Sequence, residues 1–348
     1  NMYKILRSIL FLFNGEKAHN ITTRLLVLLR YLPFSKQIVN LLYGYHNPVL
    51  EREVFGIRFK NPVGLAAGFD KNGTLYNDLA KFGFSFVEIG SLTLEPQPGN
   101  PKPRCFRLVQ DNAIINRMGI NNNGVRYAVN YIKKHRPNCI IGGNISKNSD
   151  VPNENAASNY EKSFALLYDF VDYFTINVSC PNVQNLDKMQ DISFLSELID
   201  RLLSLRNYYD DYRPILIKLS PDIPKQQLDD IIDLVLVSGI DGVIASNTTR
   251  DRSGLKTSKE ALEEIGNGGL SGKPLFEKSL SMVKYISEKT NRLLPIVAVG
   301  GIFTPKDAEA MIDAGASLVQ IYSGMIYNGP GLVKRINKHL ATKFLSKQ

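Results

Sequence analysis

From residue 47 onward the chain alternates short apolar runs with longer stretches whose apolar residues recur every three or four positions. The short runs predict strands at 62–68 (PVGLAAG), 86–91 (FVEIGS), 139–146 (CIIGGNIS) and 173–179 (YFTINVS). Four more follow at 214–220 (PILIKLS), 241–247 (DGVIASN), 295–301 (PIVAVGG) and 317–323 (SLVQIYS). Helical spacing follows most of them, near 74–82, 158–170, 191–207, 224–238, 276–289, 305–314 and 330–345. Eight strand–helix units over roughly 290 residues predict an α/β fold of the (β/α)8 TIM barrel type, whose usual size is about 250 residues plus insertions. A doubly wound sheet is the rival, but no GxGxxG follows the first strand. Two long interruptions, 92–138 (EPQPGNPKPR, NRMGINNNG) and 248–275 (GNGGLSGKP), read as loops. Both leave the C-terminal ends of strands, where barrels keep their active sites, and loops of this length are usually functional covers or disordered.

Residues 1–46 follow another rhythm. Ile5, Leu6, Ile9, Leu10 and Phe13 fall at helical spacing, and Ile21, Leu25, Leu28, Leu29 and Leu32 repeat it. The longest uninterrupted apolar runs here are Ile9–Phe13 and Leu25–Leu29, far below the ~18 residues of a transmembrane helix. A signal peptide would need a longer core and a small-residue cleavage site. The pattern predicts two short amphipathic helices. Either they lie on an anionic lipid surface, or they cap the main domain with their apolar faces packed. The domain reading is therefore 1–46, an amphipathic helical region, and 47–348, the barrel.

Charge sharpens this picture. The 348 residues carry a formal net charge of +9. Lys4, Arg7, Lys17, Arg24, Arg30 and Lys36 against Glu16 give 6 − 1 = +5 within residues 1–46, leaving +4 for the other 302. Such asymmetry argues against a nucleic-acid surface over the whole protein and for a local face toward something anionic. Apolar residues at 44% and charged residues at 22% indicate a globular chain. Cys105, Cys139 and Cys180 show no ligand-like spacing, and the four histidines show neither HxH nor HxxxH, so no metal site is predicted.

The strand ends hold the candidate chemistry. They carry Ala66, Ala67, Gly68, Asp70 and Lys71 after the first strand, Gly90 and Ser91 after the second, and Asn144 on the third. The fourth ends in Asn177, Cys180 and Asn182, the fifth carries Lys218, and the sixth ends in Ser246, Asn247 and Thr248. Gly300 and Gly301 follow the seventh, with Tyr322, Ser323 and Gly324 at the eighth. An ammonium inside the apolar run ILIKLS needs an anionic or hydrogen-bonding partner, which a ligand or a barrel carboxylate could supply. Glycines after the last two strands match the backbone phosphate site of many barrels. Three asparagines on one rim suit a planar, amide-bearing substrate; singly, each would read as a turn residue.

Together NPVGLAAGFDKNG, FVEIGSLT, PQPGNPKPRCFRL, INRMGINNNG, NVSCPN, IKLSPD, SNTT, GGLSGKPL and VAVGGI resemble dihydroorotate dehydrogenase, in family order from about residue 47 to the end. The N-terminal helices and AAGFDKNG resemble its class 2, membrane-associated, quinone-reducing branch. The resemblance implies one non-covalent FMN, oxidation of dihydroorotate to orotate in pyrimidine synthesis, and reoxidation by a membrane quinone, with no partner subunit. It places FMN against Ala66, Ala67, Gly90, Ser91, Asn144, Asn177, Lys218, Ser246, Gly272, Gly300, Gly301, Tyr322 and Ser323. Substrate contacts fall on Lys71, Asn116, Asn177, Asn182, Asn247 and Thr248. His19, Arg107 and Tyr322 fall at the inner end of a quinone tunnel. The general base is Cys180, which takes the C5 proton while hydride leaves C6 for flavin N5. The implied location is the periphery of a bacterial inner membrane, on its cytoplasmic face.

Two residues depart from that branch. Cysteine stands at 180 where serine is usual, and Ile120 stands where phenylalanine is usual. Cysteine is the habit of the soluble class 1 branch, which uses fumarate or NAD, whereas the 46-residue extension points to quinone. The expectation follows the extension, a whole structural element rather than one atom type. A tRNA-dihydrouridine synthase would need basic residues over the barrel face or a C-terminal RNA-binding domain. A non-enzymatic membrane scaffold would have lost the lysine–asparagine–thiol set.

Overall fold

The computed structural model describes residues 2–179 and 191–346. Eight parallel strands close into a barrel: Val63–Leu65, Phe86–Leu92, Ile140–Ile145, Tyr173–Asn177, Ile215–Leu219, Gly242–Ala245, Ile296–Val299 and Leu318–Ile321. Each pairs with its neighbour in sequence, and the eighth closes on the first with Val319 opposite Val63 and Ile321 opposite Leu65. All eight predicted strands are present, in the predicted order. Helices return the chain between them, including Ala156–Leu167, Ile192–Arg206, Lys225–Ser238, Phe276–Lys289, Pro305–Asp313 and Gly331–Leu345.

The barrel interior is solid. Phe86 and Tyr173 fill it from the second and fourth strands, 6.4 Å between ring centroids, with Leu216, Ile244, Val297 and Leu318 around them. Two glycines make the room: a Cβ on Gly64 would lie 2.3 Å from the Phe86 ring, and one on Gly142 would lie 2.2 Å from the Tyr173 ring. A hairpin, Arg52–Val54 with Ile57–Phe59, plugs the N-terminal end, and Phe59 meets Phe86 edge to face at 5.2 Å. With one mouth stoppered, only the C-terminal mouth can hold a ligand. A register shift in the second strand between Ile89 and Leu92 re-aims Gly90 and Ser91 at that mouth.

The interruptions are not structureless. Cys105–Leu108, Ala113–Asn116 and Gly269–Gly272 form a three-stranded antiparallel sheet that joins the two segments over the mouth. Val125–Lys134 is a helix burying Val125, Ala128, Val129 and Ile132, a spacing of i, i+3, i+4, i+7 hidden behind an Asn-rich approach.

Three helices, not two, precede the barrel: α1 Met2–Leu10, α2 Gly15–Leu29 and α3 Ser35–Tyr43. They are fastened by polar clamps. The Tyr3 hydroxyl donates to Ile326 O at 2.5 Å and Arg7 to Tyr327 O at 3.0 Å. Arg104 grips Glu16 with two bonds, 3.1 and 2.7 Å, and Arg30 donates to Asp78 at 2.5 Å and to the Tyr131 hydroxyl at 2.6 Å. Lys334 holds the end of α3 through Leu42 O at 2.9 Å.

Candidate active site

A cavity of about 530 Å³ runs from the barrel mouth to the N-terminal helices. Its inner end is lined by strand-end residues: Ala66, Ala67, Gly90, Ser91, Asn177, Lys218, Ser246, Asn247, Thr248, Gly300, Gly301, Tyr322 and Ser323. Lys71, Asn116 and Gly272 line it from neighbouring loops and the side sheet. The structure thus brings together every sequence-nominated residue of this group except three. Asn144 is fully buried and stands behind Ser91, whose hydroxyl donates to its side-chain oxygen. Cys180 and Asn182 lie outside the described residues.

The rim amides are held by one another. Asn177 donates to Ser91 Oγ at 2.8 Å, and Asn247 donates to Asn177 Oδ1 at 3.3 Å and to Ser179 Oγ at 3.1 Å. Lys218 faces the same wall, opposite Asn177 in the strand register. Lys71 donates to Gly68 O at 2.5 Å. Burial lowers the Lys71 pKa from its ordinary value, which favours an anionic partner for its ammonium. Gly301 has φ +71°, and a Cβ there would come within 2.6 Å of Phe276 backbone atoms, so only glycine allows this turn its close approach.

Toward the helices the lining turns apolar, with Leu6, Leu10, Leu25, Leu26, Leu29, Phe69 and Ile302. His19, Arg107 and Tyr322 also line the cavity. His19 meets the Phe69 ring edge to face at 4.9 Å, and burial, followed by the Lys71 charge, pushes its pKa down to about 3. Arg107 donates to Phe11 O at 3.2 Å and to Phe13 O, and lies 4.4 Å over the Phe11 ring, so it braces the α1–α2 link. Sequence reading missed Glu16, Phe69, Cys105, Ser271 and Gln320, which line the same cavity from elements whose placement only the fold decides. Ile120 also lines it, with a left-handed backbone of φ +54° that is rare for a β-branched residue.

Residues 49–344 match the family model described as dihydroorotate dehydrogenase. The chain belongs to the dihydroorotate dehydrogenase family. The dihydroorotate dehydrogenase (quinone) of Christiangramia forsetii is 48% identical over 345 residues, covering 99% of this chain and 100% of that protein. The enzyme of the same name from Coxiella burnetii is 43% identical, covering 97% and 96%. Among solved structures, the DHODH of Eimeria tenella in complex with ferulenol superposes with a TM-score of 0.86 at 34% identity, over 96% of this chain and 92% of that one. Family membership therefore spans the barrel, and the quinone-named relatives match the N-terminal helices as well.

Proposed function

We propose that this chain oxidises dihydroorotate to orotate in pyrimidine biosynthesis, using FMN, and passes the electrons to a membrane quinone. The observation that carries the reading is one continuous, two-ended cavity: an amide- and lysine-lined end at the barrel mouth runs into an apolar end beneath α1 and α2.

The residues fit FMN. Gln320 Oε1 and Thr248 Oγ1, on residues that line the cavity, are buried without a hydrogen-bond partner among the described residues, as expected of groups that complete their bonds on a ligand. Gly300, Gly301 and Gly324, after the seventh and eighth strands, line the cavity where backbone N–H groups would hold a phosphate, and Lys218 would sit beside the electron-accepting heterocycle and favour its reduced, anionic form. When bound, FMN supplies the two-electron redox chemistry. The chain supplies position and proton transfer. Lys71 binds the substrate carboxylate by a charge-assisted hydrogen bond. Asn116, Asn177, Asn182, Asn247 and Thr248 orient the ring so that the C5–H and C6–H bonds align with base and acceptor. Cys180 takes the C5 proton; a free thiol titrates near pH 8.5, within reach of a general base without the relay a serine needs. Residues 1–46 hold the enzyme on an anionic membrane face, and His19, neutral at physiological pH, lines the quinone path with Tyr322.

An anaerobic stopped-flow experiment tests this. Dihydroorotate should bleach the flavin of the yellow protein, and a short-chain quinone should restore the colour far faster than fumarate or NAD. Fast reoxidation by fumarate instead would reject the quinone assignment. Alkylation should abolish the first half-reaction, with orotate protecting; an alkylated enzyme still reduced by dihydroorotate would remove Cys180 as the base.

A further inference from the structure

We propose that Glu88 is a positioning residue that fixes the direction of the Asn144, Asn177, Asn247 and Gln320 amides beside the cavity. Glu88 is fully buried in the second barrel strand, behind the cavity wall. Three donors converge on it: Asn144 Nδ2 at 2.8 Å, Gln320 Nε2 at 2.7 Å and the Tyr173 hydroxyl at 3.1 Å. Oε1 accepts from Asn144, and Oε2 accepts from both Gln320 and Tyr173, so both carboxamides present their nitrogen to Glu88 and turn their oxygen away.

The consequence propagates outward. Because the Asn144 nitrogen is committed to Glu88, its oxygen faces Ser91 and receives the Ser91 hydroxyl proton. The Ser91 oxygen must then accept, which it does from Asn177 Nδ2 at 2.8 Å. That leaves the Asn177 oxygen toward Asn247, whose nitrogen donates to it at 3.3 Å, and the Asn247 oxygen accepts from the Thr248 N–H at 2.9 Å. Every bond in the series points one way, back to the carboxylate. On its other side, Gln320 spends its nitrogen on Glu88, and its oxygen, buried and unpartnered among the described residues, is left to the cavity. Glu88 thus sets an acceptor on one wall and a fixed amide order on the rim, a pattern that recognises a planar heterocycle bearing both carbonyls and ring N–H groups. A buried network of this kind rigidifies a site once its last free acceptor, the Gln320 oxygen, is met by a ligand. The inference rests on the reading of the cavity as the FMN and orotate site.

The test uses FMN-loaded enzyme, titrated with orotate by the change in flavin absorbance, together with the FMN dissociation constant of each variant. Glu88→Gln keeps the shape but offers an N–H, so Asn144 and Gln320 can invert; orotate affinity should fall at least tenfold and FMN affinity at least fivefold. The exchange Glu88→Gln with Gln320→Glu should return orotate affinity to within threefold of wild type. In that pair the carboxylate, moved to the eighth strand, would hold the nitrogen of the carboxamide on the second, whose oxygen would again face Asn144. Tyr173→Phe removes a donor from Glu88 without touching an amide and should stay within twofold. Wild-type affinities in Glu88→Gln, no recovery in the exchange, or an equal loss in Tyr173→Phe would each overturn the proposal. Should Glu88→Gln lose its flavin altogether, the exchange decides: a yellow, orotate-binding protein supports the proposal and a colourless one rejects it. A wild-type protein that does not bind orotate would strike the substrate reading, and the FMN series alone would then decide the role of Glu88.

Discussion

His19 shows how much one side chain can report about the helices above the barrel. Its pKa near 3 in the folded protein compares with 6.5 unfolded, so between these values the unfolded chain binds a proton that the native one refuses. The associated stability is complete above pH 6.5 and is lost as pH falls toward 3; at pH 5 the loss is about 2 kcal/mol by linkage. Wild type should therefore lose about 2 kcal/mol more than His19→Gln between pH 7.5 and 5, read as thermal stability or as amide exchange in α2. Parallel pH curves would show that the ring is solvated. At this scale the sequence revealed residues that stand at strand ends, because a barrel delivers all of those to one mouth: Lys71, Asn177, Asn247 and Gly301 were legible for that reason, and Lys218 because an ammonium within an apolar strand calls for a partner. Glu88 and Gln320 were not. Each sits within an apolar run, and its meaning depends on partners far away in sequence, such as the Glu88–Gln320 bond across the barrel.

Elements divide in the same way. The eight barrel strands were legible because they are continuous apolar runs followed by helical periods. The side sheet was not, since its four-residue strands Cys105–Leu108 and Ala113–Asn116 lie in Pro- and Asn-rich surroundings, and the second of them pairs with Gly269–Gly272 over 150 residues away. That sheet and α2 both line the cavity and adjoin one another, and the contact between them is tight: a Cβ on Gly15 would lie 2.7 Å from Cys105 Sγ. The Glu16–Arg104 pair locks this contact, and the Arg104 hydrogen bond is the main cause that holds the Glu16 carboxyl below its ordinary pKa. Glu16→Gln leaves the Arg104 charge half-paired in a buried place and should weaken the docking of α2 by about 2 kcal/mol. Exchange of the α2 amides should then accelerate about 30-fold. The quinone half-reaction should show a raised KM while flavin reduction by dihydroorotate keeps its rate. Equal damage to both half-reactions would mean that the clamp supports the barrel mouth rather than the tunnel wall.

On the scale of the whole molecule, the N-terminal helices have two apolar sides, and only one is covered. Twelve of the 21 exposed large apolar side chains among the described residues fall before residue 43, including Leu12, Tyr31, Phe34 and Leu41, each more than 70% exposed. No helix among the described residues is long and apolar enough to cross a membrane. Of the six cations in this region, Arg7 and Arg30 are spent on the barrel, while Lys4, Lys17, Arg24 and Lys36 stay exposed beside the apolar face. Apolar side chains framed by lysine and arginine are the makings of a helix lying in the lipid headgroup layer. Each such cation near an anionic surface adds about 1 kcal/mol, and salt screens it. The protein should therefore float with vesicles containing phosphatidylserine, bind neutral phosphatidylcholine vesicles far less, and release from the former in 0.5 M salt, about a Debye length of 4 Å. Leu12→Ser with Leu41→Ser should weaken the same binding at low salt without changing flavin reduction, because neither residue lines the cavity. Salt sensitivity without dependence on the leucines would leave a purely electrostatic contact, and the apolar arm would then open to water, where a lipid-soluble quinone is scarce. Dependence on both would join the exposed face to the cavity behind it: the same helices that hold the protein on the bilayer form the wall past which the quinone travels.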